Sequence, residues 1–238
     1  MAGYDSPVTF SEIYHGEEYD AALELPGWAD AAAPNAAPAG RWHGVETVTY
    51  PAAQLYAQAA GKVSVRNRLP AQRIFTTPAG ETVVDFGQNM AGRVEITATG
   101  GPGDVAELRC FEELDADGNA YLANLRKART IMRYKFAQPG TVTWHPQFTY
   151  MGFRYALVVQ WPGTPRAENF TAYTLHTAME PAGQFQCSEP LVNGLHHNIT
   201  WGLKSNFLDV PTDCPQRDER LGWTGDAQIF QRDCLLVG

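Results

Sequence analysis

The feature that most constrains the fold is a series of short segments, between about residues 45 and 178, in which apolar and polar side chains alternate. Alternation with a period of two places one face of a strand on a core and the other towards solvent. Turns rich in Gly and Pro separate the segments, as antiparallel connections require. The pattern predicts a mainly β chain built on an antiparallel β-sandwich, and its clearest segments are residues 92–99, 105–111, 130–136 and 153–159.

The pattern changes near residue 179, where a helix replaces the alternating segments. Ser188 is a suitable N-cap, and apolar residues then recur at helical spacing. After this helix, Pro211 disfavours helical geometry at the residue before it, so residues 208–211 are expected to be extended and 212–225 to form a loop. A second helix is expected to begin near Asp226. The apolar face of the first helix consists of Leu191, Leu195, Ile199 and Leu203.

Composition limits the partners. The chain has 238 residues, a net charge of -8 and 18% charged residues, and its longest basic run is Arg126-Lys127. A phosphate-tracking surface needs clustered basic residues, so nucleic acid is not an expected partner. No segment is apolar over a membrane-spanning length and no secretory signal is recognisable, so we expect no membrane partner, and the compartment stays open. The four cysteines, at positions 110, 187, 214 and 234, lack zinc-type spacing and are predicted to be free thiols.

Two motifs that resemble metal sites have simpler explanations. Residues 115–119 begin like a calcium loop, but Arg126 stands where that loop needs a bidentate Glu, so a hairpin turn is predicted. His196 and His197 are adjacent on the predicted helix and point about 100° apart, so they cannot share one metal ion. We therefore predict no metal site.

The segment from Asp213 to Asp226 is the candidate functional site. It places four acids, two arginines and a tryptophan within fourteen residues. Carboxylates can accept hydrogen bonds from hydroxyl groups and an indole can cover an apolar sugar face, so the segment suits a neutral, hydroxyl-rich ligand. Cleavage of a glycosidic bond also needs paired acids, for which Asp213, Glu219 and Asp226 are candidates. The alternative is a solvated loop in which Arg217 or Arg220 forms surface ion pairs with Asp218.

Residues 209–228 resemble the signature at the start of the catalytic barrel of bacterial α-L-rhamnosidases, glycoside hydrolase family 78. Two further stretches are similar to the same family in the same order. Residues 13–21 with Gly27-Trp28 resemble the end of its N-terminal β-sandwich module, and residues 86–93 resemble its second sandwich. The resemblance covers nearly the whole chain.

This resemblance implies inverting hydrolysis of terminal α-L-rhamnosides without a cofactor. Glu219 matches the general acid, while Asp213, Arg217, Trp223 and Asp226 match residues that line the rhamnose subsite. Asp218 stays outside the catalytic set. The family's general base lies far downstream of the acid and no residue here can take its position. We therefore expect an internal fragment of a rhamnosidase that is inactive alone.

The resemblance also implies a division of the chain. Residues 1–70 would be the remnant of an N-terminal β-sandwich module with a linker, 71–180 a β-sandwich, and 181–238 the truncated start of an (α/α)6 barrel. The expected partner is a rhamnose-containing glycoside or oligosaccharide, and the oligomeric state stays open. Two alternatives remain, a noncatalytic carbohydrate-binding module and a purely structural β-sandwich.

Overall fold

The computed structural model describes residues 2–3, 6–28, 43–44, 46–47, 49, 56–58, 61–181 and 183–228. The predicted linker at 31–40, Cys234 and the end of the second predicted helix lie outside these residues.

Short 3-10 turns occupy Ala21–Leu23, Ala123–Leu125 and Ala167–Asn169. The strands are β1 (Ala2–Gly3), β2 (Val8–Glu12), β3 (Gly16–Asp20), β4 (His43–Gly44), β5 (Val63–Pro70), β6 (Arg73–Thr76), β7 (Thr82–Gly100), β8 (Val105–Phe111), β9 (Glu113–Leu114), β10 (Ala120–Tyr121), β11 (Ile131–Lys135), β12 (Gly140–Trp144), β13 (Met151–Gln160), β14 (Phe170–Thr177), β15 (Phe207–Leu208) and β16 (Val210–Pro211), and the helix is α1 (Pro190–Ser205).

The long strand β7 organises the main sheet. Its first half pairs with β6 and β13, and its second half pairs with β14 and β12. The sheet has ten strands, in the order β2-β3-β11-β8-β13-β7-β14-β5, with β6 and β12 attached to β7. Because one strand changes partners along its length, the sheet curls over its own core. The prediction of a mainly β, sandwich-like fold is confirmed.

The N-terminal strands belong to this same sheet. β3 pairs in parallel with β11, with Gly16 opposite Ile131, while the other pairs in the main sheet are antiparallel among the described residues. The fully buried carboxylate of Glu17 accepts hydrogen bonds from the backbone N–H groups of Gln147 and Phe148, at 2.8–3.1 Å. A buried carboxylate needs such donors, so this contact ties the first strands to a loop about 130 residues away.

The main core lies inside the curl. Alternate residues of β7, including Val94, Ile96 and Ala98, are buried there, as the period-two pattern predicts. Phe86 of β7 and Phe153 of β13 meet edge to face, with ring centroids 5.6 Å apart. A second, smaller cluster lies outside this core and consists of Val83, Phe111, Leu125, Ala128 and Tyr155.

Helix α1 lies where it was predicted but begins differently. The predicted N-cap, Ser188, is wrong: Glu189 is the N-cap, and its carboxylate accepts a hydrogen bond from the Leu191 N–H at 3.1 Å. Pro190 occupies the first helical position, where its fixed φ and missing N–H suit a helix start, and this moves the cap one residue forward. Residues 224–228 are also helical, so this second helical segment starts two residues before its predicted position.

Helix α1 packs on β7 and β14 through only part of its apolar face. Leu203 is buried and Trp201 packs against the main core. Leu191 and Leu195, nearer the start of the helix, are 82% and 59% exposed. His197 Nε2 lies 3.0 Å from Gln88 Oε1, which adds a polar contact between helix and sheet. Within the described ranges, no helix is long and apolar enough to cross a membrane.

Two expectations about motifs can be compared with the structure. Residues 115–119 form a turn between β9 and β10, in which Asp115 Oδ1 accepts hydrogen bonds from the N–H groups of Asp117 and Asn119. This turn agrees with the predicted hairpin. Cys110, Cys187 and Cys214 are free thiols, as predicted.

Close approach of β7 and β14 generates a stability prediction at Gly92. A Cβ added there would lie 1.9 Å from the Tyr173 carbonyl oxygen, so backbone would have to move. We expect Gly92→Ala to lower the free energy of unfolding by about 3 kcal/mol or more. Gly101→Ala is the control, because its Cβ would meet nothing closer than Asp104 Oδ2 at 3.8 Å. Urea denaturation followed by circular dichroism measures both; equal stabilities of the two variants would contradict the expected clash.

Candidate active site

The acid-rich segment forms a closed loop against the sandwich. We call residues 212–223 the acidic loop. It follows the β15–β16 hairpin, whose tip residue Asp209 has a φ of 70°, and a bridge between Thr212 and Gly222 joins its two ends. A loop was predicted over 212–225; the structure has a loop over 212–223, because residues 224 and 225 already belong to the second helical segment. The bridge brings the first and last residues of the loop together, so the acids lie in one compact region.

The loop contacts strand β13 at a glycine. The Gly152 N–H donates a hydrogen bond to the Pro215 carbonyl at 2.9 Å. A Cβ on Gly152 would lie 2.7 Å from Pro215 Cγ and 2.8 Å from the Gln216 nitrogen. The loop backbone therefore sits directly on a position that has no side chain.

The buried guanidinium of Arg220 fastens the other end of the loop. Its Nη1 donates to the carbonyl oxygens of Ile13 and Tyr150, and its Nε donates to the Arg217 carbonyl at 3.2 Å. The guanidinium also lies over the rings of Tyr14 and Tyr150, 5.6 and 5.2 Å from their centroids. Burial lowers the pKa of Arg220 from its usual value, but an arginine in a protein remains charged. Arg220 thus serves the loop backbone and forms no ion pair with Asp218.

Three of the predicted site residues form one charged cluster. Arg217 Nη2 lies 2.8 Å from Glu219 Oε2 and 4.0 Å from Asp213 Oδ2. Arg126, from the sandwich, contacts Glu219 Oε2 through Nη1 at 3.0 Å. The Tyr14 hydroxyl donates to the Glu219 carbonyl at 2.6 Å, which holds the backbone beneath that carboxylate. Glu219 is therefore held from three sides, by two guanidinium groups and a phenol.

The other predicted site residues line a cavity. Asp213, Trp223 and Asp226 face a space of about 440 Å³, whose remaining wall includes Leu203 and Phe207. Asp213 belongs to both the cavity and the charged cluster. Its Oδ1 is buried and has no hydrogen-bond partner among the described residues, so it can accept from a ligand. Glu219 and Arg217 do not line this cavity.

A second cavity lies between the acidic loop, α1 and the sandwich. It encloses about 350 Å³ and is lined by Gln88, Asn89 and Glu112 from the sandwich, together with Asp213. Burial raises the pKa of Glu112, although the Asn89 amide donates to its Oε1 at 3.0 Å and opposes the shift. Sequence reasoning missed Glu112, because one acid at the end of an alternating strand looks like any exposed polar position.

The thiol of Cys214 lies within the charged cluster. Its Sγ is 3.1 Å from Asp213 Oδ2 and 3.1 Å from Arg217 Nε. Burial raises the pKa of Cys214, which opposes a reactive thiolate. Ligand atoms of Asp213, Cys214 and Glu219 lie within 4.8 Å of one another, yet the Arg217 guanidinium already brings positive charge to all three. We assign no metal to them.

Three consecutive family profiles match the chain. The α-L-rhamnosidase N-terminal domain matches residues 2–67, the concanavalin-like domain of bacterial α-L-rhamnosidase matches 75–176, and its 6 hairpin glycosidase domain matches 180–236. The three profiles follow one another in the domain order of a multidomain family of glycoside hydrolases. The chain belongs to the bacterial α-L-rhamnosidase family, glycoside hydrolase family 78.

Named relatives agree with this membership. An α-L-rhamnosidase of Streptomyces avermitilis is 40% identical over 225 residues, which cover 94% of this chain and 22% of that protein. One from Formosa agariphila is 35% identical over 227 residues, covering 94% of this chain and 24% of that protein. The chain therefore spans about a quarter of the length of these relatives.

Solved structures share the fold. The structure of Streptomyces avermitilis α-L-rhamnosidase complexed with L-rhamnose superposes with a TM-score of 0.86 at 38% identity, covering 96% of this chain and 22% of that chain. The native α-L-rhamnosidase from Aspergillus terreus gives a TM-score of 0.88 at 38% identity, and the match covers 95% of this chain and 26% of that chain.

The buried position of Arg220 generates a second prediction. Arg220→Ala removes the donor to two part-buried backbone carbonyls, so we expect a loss of about 3 kcal/mol in the free energy of unfolding and faster amide exchange in the acidic loop. Arg166→Ala is the control, since Arg166 is exposed and its closest acid, Glu168, is 3.8 Å away. Chemical denaturation and hydrogen exchange measure the two effects. Unchanged loop exchange in Arg220→Ala would show that this guanidinium does not fasten the loop.

The raised pKa of Glu112 generates a prediction on pH. An acid whose pKa is higher in the folded protein stabilises the fold below its unfolded pKa, and that contribution is lost as pH rises through the folded pKa. Glu112→Gln removes this loss, so its stability relative to the wild type should increase from about pH 4 to pH 7. Glu168→Gln, at an exposed site, is the control. A stability difference that does not change with pH would contradict the burial of an ionisable group at 112.

Proposed function

We propose that this chain is the part of an inverting α-L-rhamnosidase that carries the general acid and one side of the rhamnose subsite. Glu219 is the general acid, and Asp213, Arg217, Trp223 and Asp226 hold the sugar. These roles come from the resemblance of the acidic loop to the family signature. The proposed substrate is a terminal, non-reducing α-L-rhamnosyl group of a glycoside or oligosaccharide, and no cofactor takes part.

The observation that carries the proposal is that Asp213 belongs both to the charged cluster and to the wall of the cavity. One of its carboxylate oxygens faces Arg217 in the cluster that holds Glu219, and the residue also lines the cavity with Trp223 and Asp226. A sugar in that cavity would therefore contact Asp213, which also belongs to the charged cluster that contains the proposed acid, Glu219. This arrangement supports a site in which binding and proton donation share one wall.

The chemistry of each group fits a deoxy sugar. Rhamnose is neutral, with several hydroxyl groups and a methyl group, and it needs acceptors together with an apolar surface. Asp213 Oδ1, which has no hydrogen-bond partner among the described residues, can accept a hydrogen bond from a hydroxyl group. The half-exposed indole of Trp223 can cover an apolar ring face. Inverting hydrolysis needs an acid to protonate the leaving oxygen and a base to activate water on the opposite side.

The two carboxylate oxygens of Glu219 have different surroundings. Oε2 accepts a hydrogen bond from Arg126 Nη1 at 3.0 Å and lies 2.8 Å from Arg217 Nη2. Oε1 belongs to neither ion pair. A general acid carries its proton until the transition state, so Oε1 is the atom proposed to carry and donate it.

The 238-residue chain alone is proposed to bind rhamnose without turning it over. The family's general base lies far downstream of the acid, and this chain spans about a quarter of the length of its relatives. Binding needs only the groups around the cavity, whereas hydrolysis needs both carboxylates. The two properties can therefore be measured separately.

The test is titration of the purified chain with L-rhamnose by isothermal calorimetry. We expect measurable binding and about a tenfold loss of affinity in Trp223→Ala, which corresponds to about 1.4 kcal/mol, because the truncation removes the aromatic surface proposed to cover the sugar ring. Phe148→Ala, which removes an exposed aromatic on the sandwich, is the matched control and should bind like the wild type. D-Glucose serves as the control sugar.

An activity assay completes this test. We expect no multiple turnover of an aryl α-L-rhamnoside by the chain. Turnover that disappears in Glu219→Gln would disprove the inactivity of the chain while supporting the role of Glu219. Rhamnose binding that is identical in wild type and Trp223→Ala would disprove the location of the subsite.

A further inference from the structure

Arg126, a side chain of the sandwich that no sequence motif indicates, contacts the proposed acid Glu219. Arg126 follows the short turn Ala123–Leu125, which lies between β10 and β11. Its Nη1 donates a hydrogen bond to Glu219 Oε2 at 3.0 Å. Its Nε lies 3.2 Å from Asp218 Oδ1, as an ion pair without a hydrogen bond. One guanidinium therefore contacts two consecutive acids of the acidic loop, across 93 residues of sequence.

The backbone around Arg126 is arranged to present this side chain. Arg126 has a φ of 58° and a ψ of -113°, which a residue with a side chain rarely adopts. The preceding Leu125 is fully buried, and the Arg126 N–H donates to the Ala123 carbonyl at 3.2 Å. These two contacts hold the strained position and fix the direction in which Arg126 leaves the sandwich.

Arg126 and Arg217 hold the same oxygen from different parts of the fold. Arg217 reaches Glu219 Oε2 from within the acidic loop, whereas Arg126 reaches it from the sandwich. Arg217 moves with the loop, so it cannot fix the position of the loop. Arg126 is anchored outside the loop and can fix the Glu219 carboxylate relative to the sandwich.

We propose that Arg126 is a positioning residue of the active site, which orients Glu219 through paired contacts with Asp218 and Glu219. The proposal rests on the proposed role of Glu219 as the acid. Arg126 acts through these two acids and needs no contact with the sugar. Asp218, which sequence reasoning left outside the catalytic set, then has the role of the second anchor for Arg126.

Because Arg126 is exposed, its effect on the acidic loop can be measured separately from any effect on the stability of the whole fold. Its side chain is 53% exposed, and ion pairs of exposed arginines contribute little to folding because water screens them. Loss of Arg126 should therefore leave the global unfolding transition nearly unchanged. Its effect should appear in the order of the acidic loop and in the affinity of the site.

The experiment compares the full 238-residue chain with Arg126→Ala, Arg126→Lys and a matched control, Arg129→Ala. Arg129 leaves the same connection and is 51% exposed, but its ion pair is with Glu18 on β3, at 3.7 Å. Hydrogen exchange measured by mass spectrometry reports the acidic loop. We expect about fivefold faster exchange there in Arg126→Ala. Arg126→Lys should recover part of the protection, because an ammonium can contact one acid at a time, and Arg129→Ala should match the wild type.

A second measurement tests whether Arg126 acts through Glu219. In the Glu219→Gln background, Arg126→Ala should produce a smaller additional change in loop exchange than it does in the wild type, because one of its two partners is already weakened. Calorimetry with L-rhamnose should show about fivefold weaker binding for Arg126→Ala and unchanged binding for Arg129→Ala.

The outcomes distinguish this proposal from the proposed function. If no variant and no wild-type chain binds rhamnose, the proposed subsite fails, and the exchange data still decide whether Arg126 orders the loop. If Arg126→Ala and Arg129→Ala exchange alike in the acidic loop, the positioning role of Arg126 is overturned. The same holds if the effects of Arg126→Ala and Glu219→Gln are simply additive.

Discussion

The site depends on one buried cation, the guanidinium of Arg220. It joins three backbone segments that are distant in sequence, because it donates to the carbonyls of Ile13 and Tyr150 and to the acidic loop itself. A buried guanidinium without such acceptors would be strongly unfavourable, so the three segments must meet for Arg220 to be accommodated. Its neighbour in sequence, Glu219, is placed as a consequence. The proposed acid is thus positioned by a residue that takes no part in the chemistry.

This arrangement makes the sandwich part of the site. Tyr14, Arg126 and Gly152 come from the sheet or its connections, and each contacts the acidic loop directly. Helix α1 adds the opposite wall of the cavity through Leu203. Internal ion pairs of Arg217 and the Thr212–Gly222 bridge shape the loop, while the contacts from the sandwich and from α1 fix where it lies. The acidic loop, with the proposed site residues that it carries, therefore depends on the preceding sandwich for its position.

Local patterns explain which features the sequence could predict. Period-two alternation identified β7, β8, β11 and β13, because their burial follows directly from the pleat. Helix α1 was predicted from its apolar spacing, but its cap was placed one residue early, since Ser188 and Glu189 are both adequate acceptors and only Pro190 decides between them. The clustering of Asp213, Arg217 and Glu219 agrees with their nearness in sequence. Contacts made by Arg126, Glu112 and Tyr14 could not be predicted, because they depend on how distant strands and loops meet.

The close contact at Gly152 means that amino-acid changes in strand β13 and in the acidic loop depend on each other. The atoms that a side chain would displace there are the ring carbon Cγ and the carbonyl carbon of Pro215 and the Gln216 nitrogen, and none of them can yield as the end of a flexible side chain would. Any larger residue at 152 must therefore be accompanied by a change in the path of the acidic loop. Sandwich and loop cannot diverge independently at this point, so a sandwich transplanted from a relative would have to bring its own matching loop.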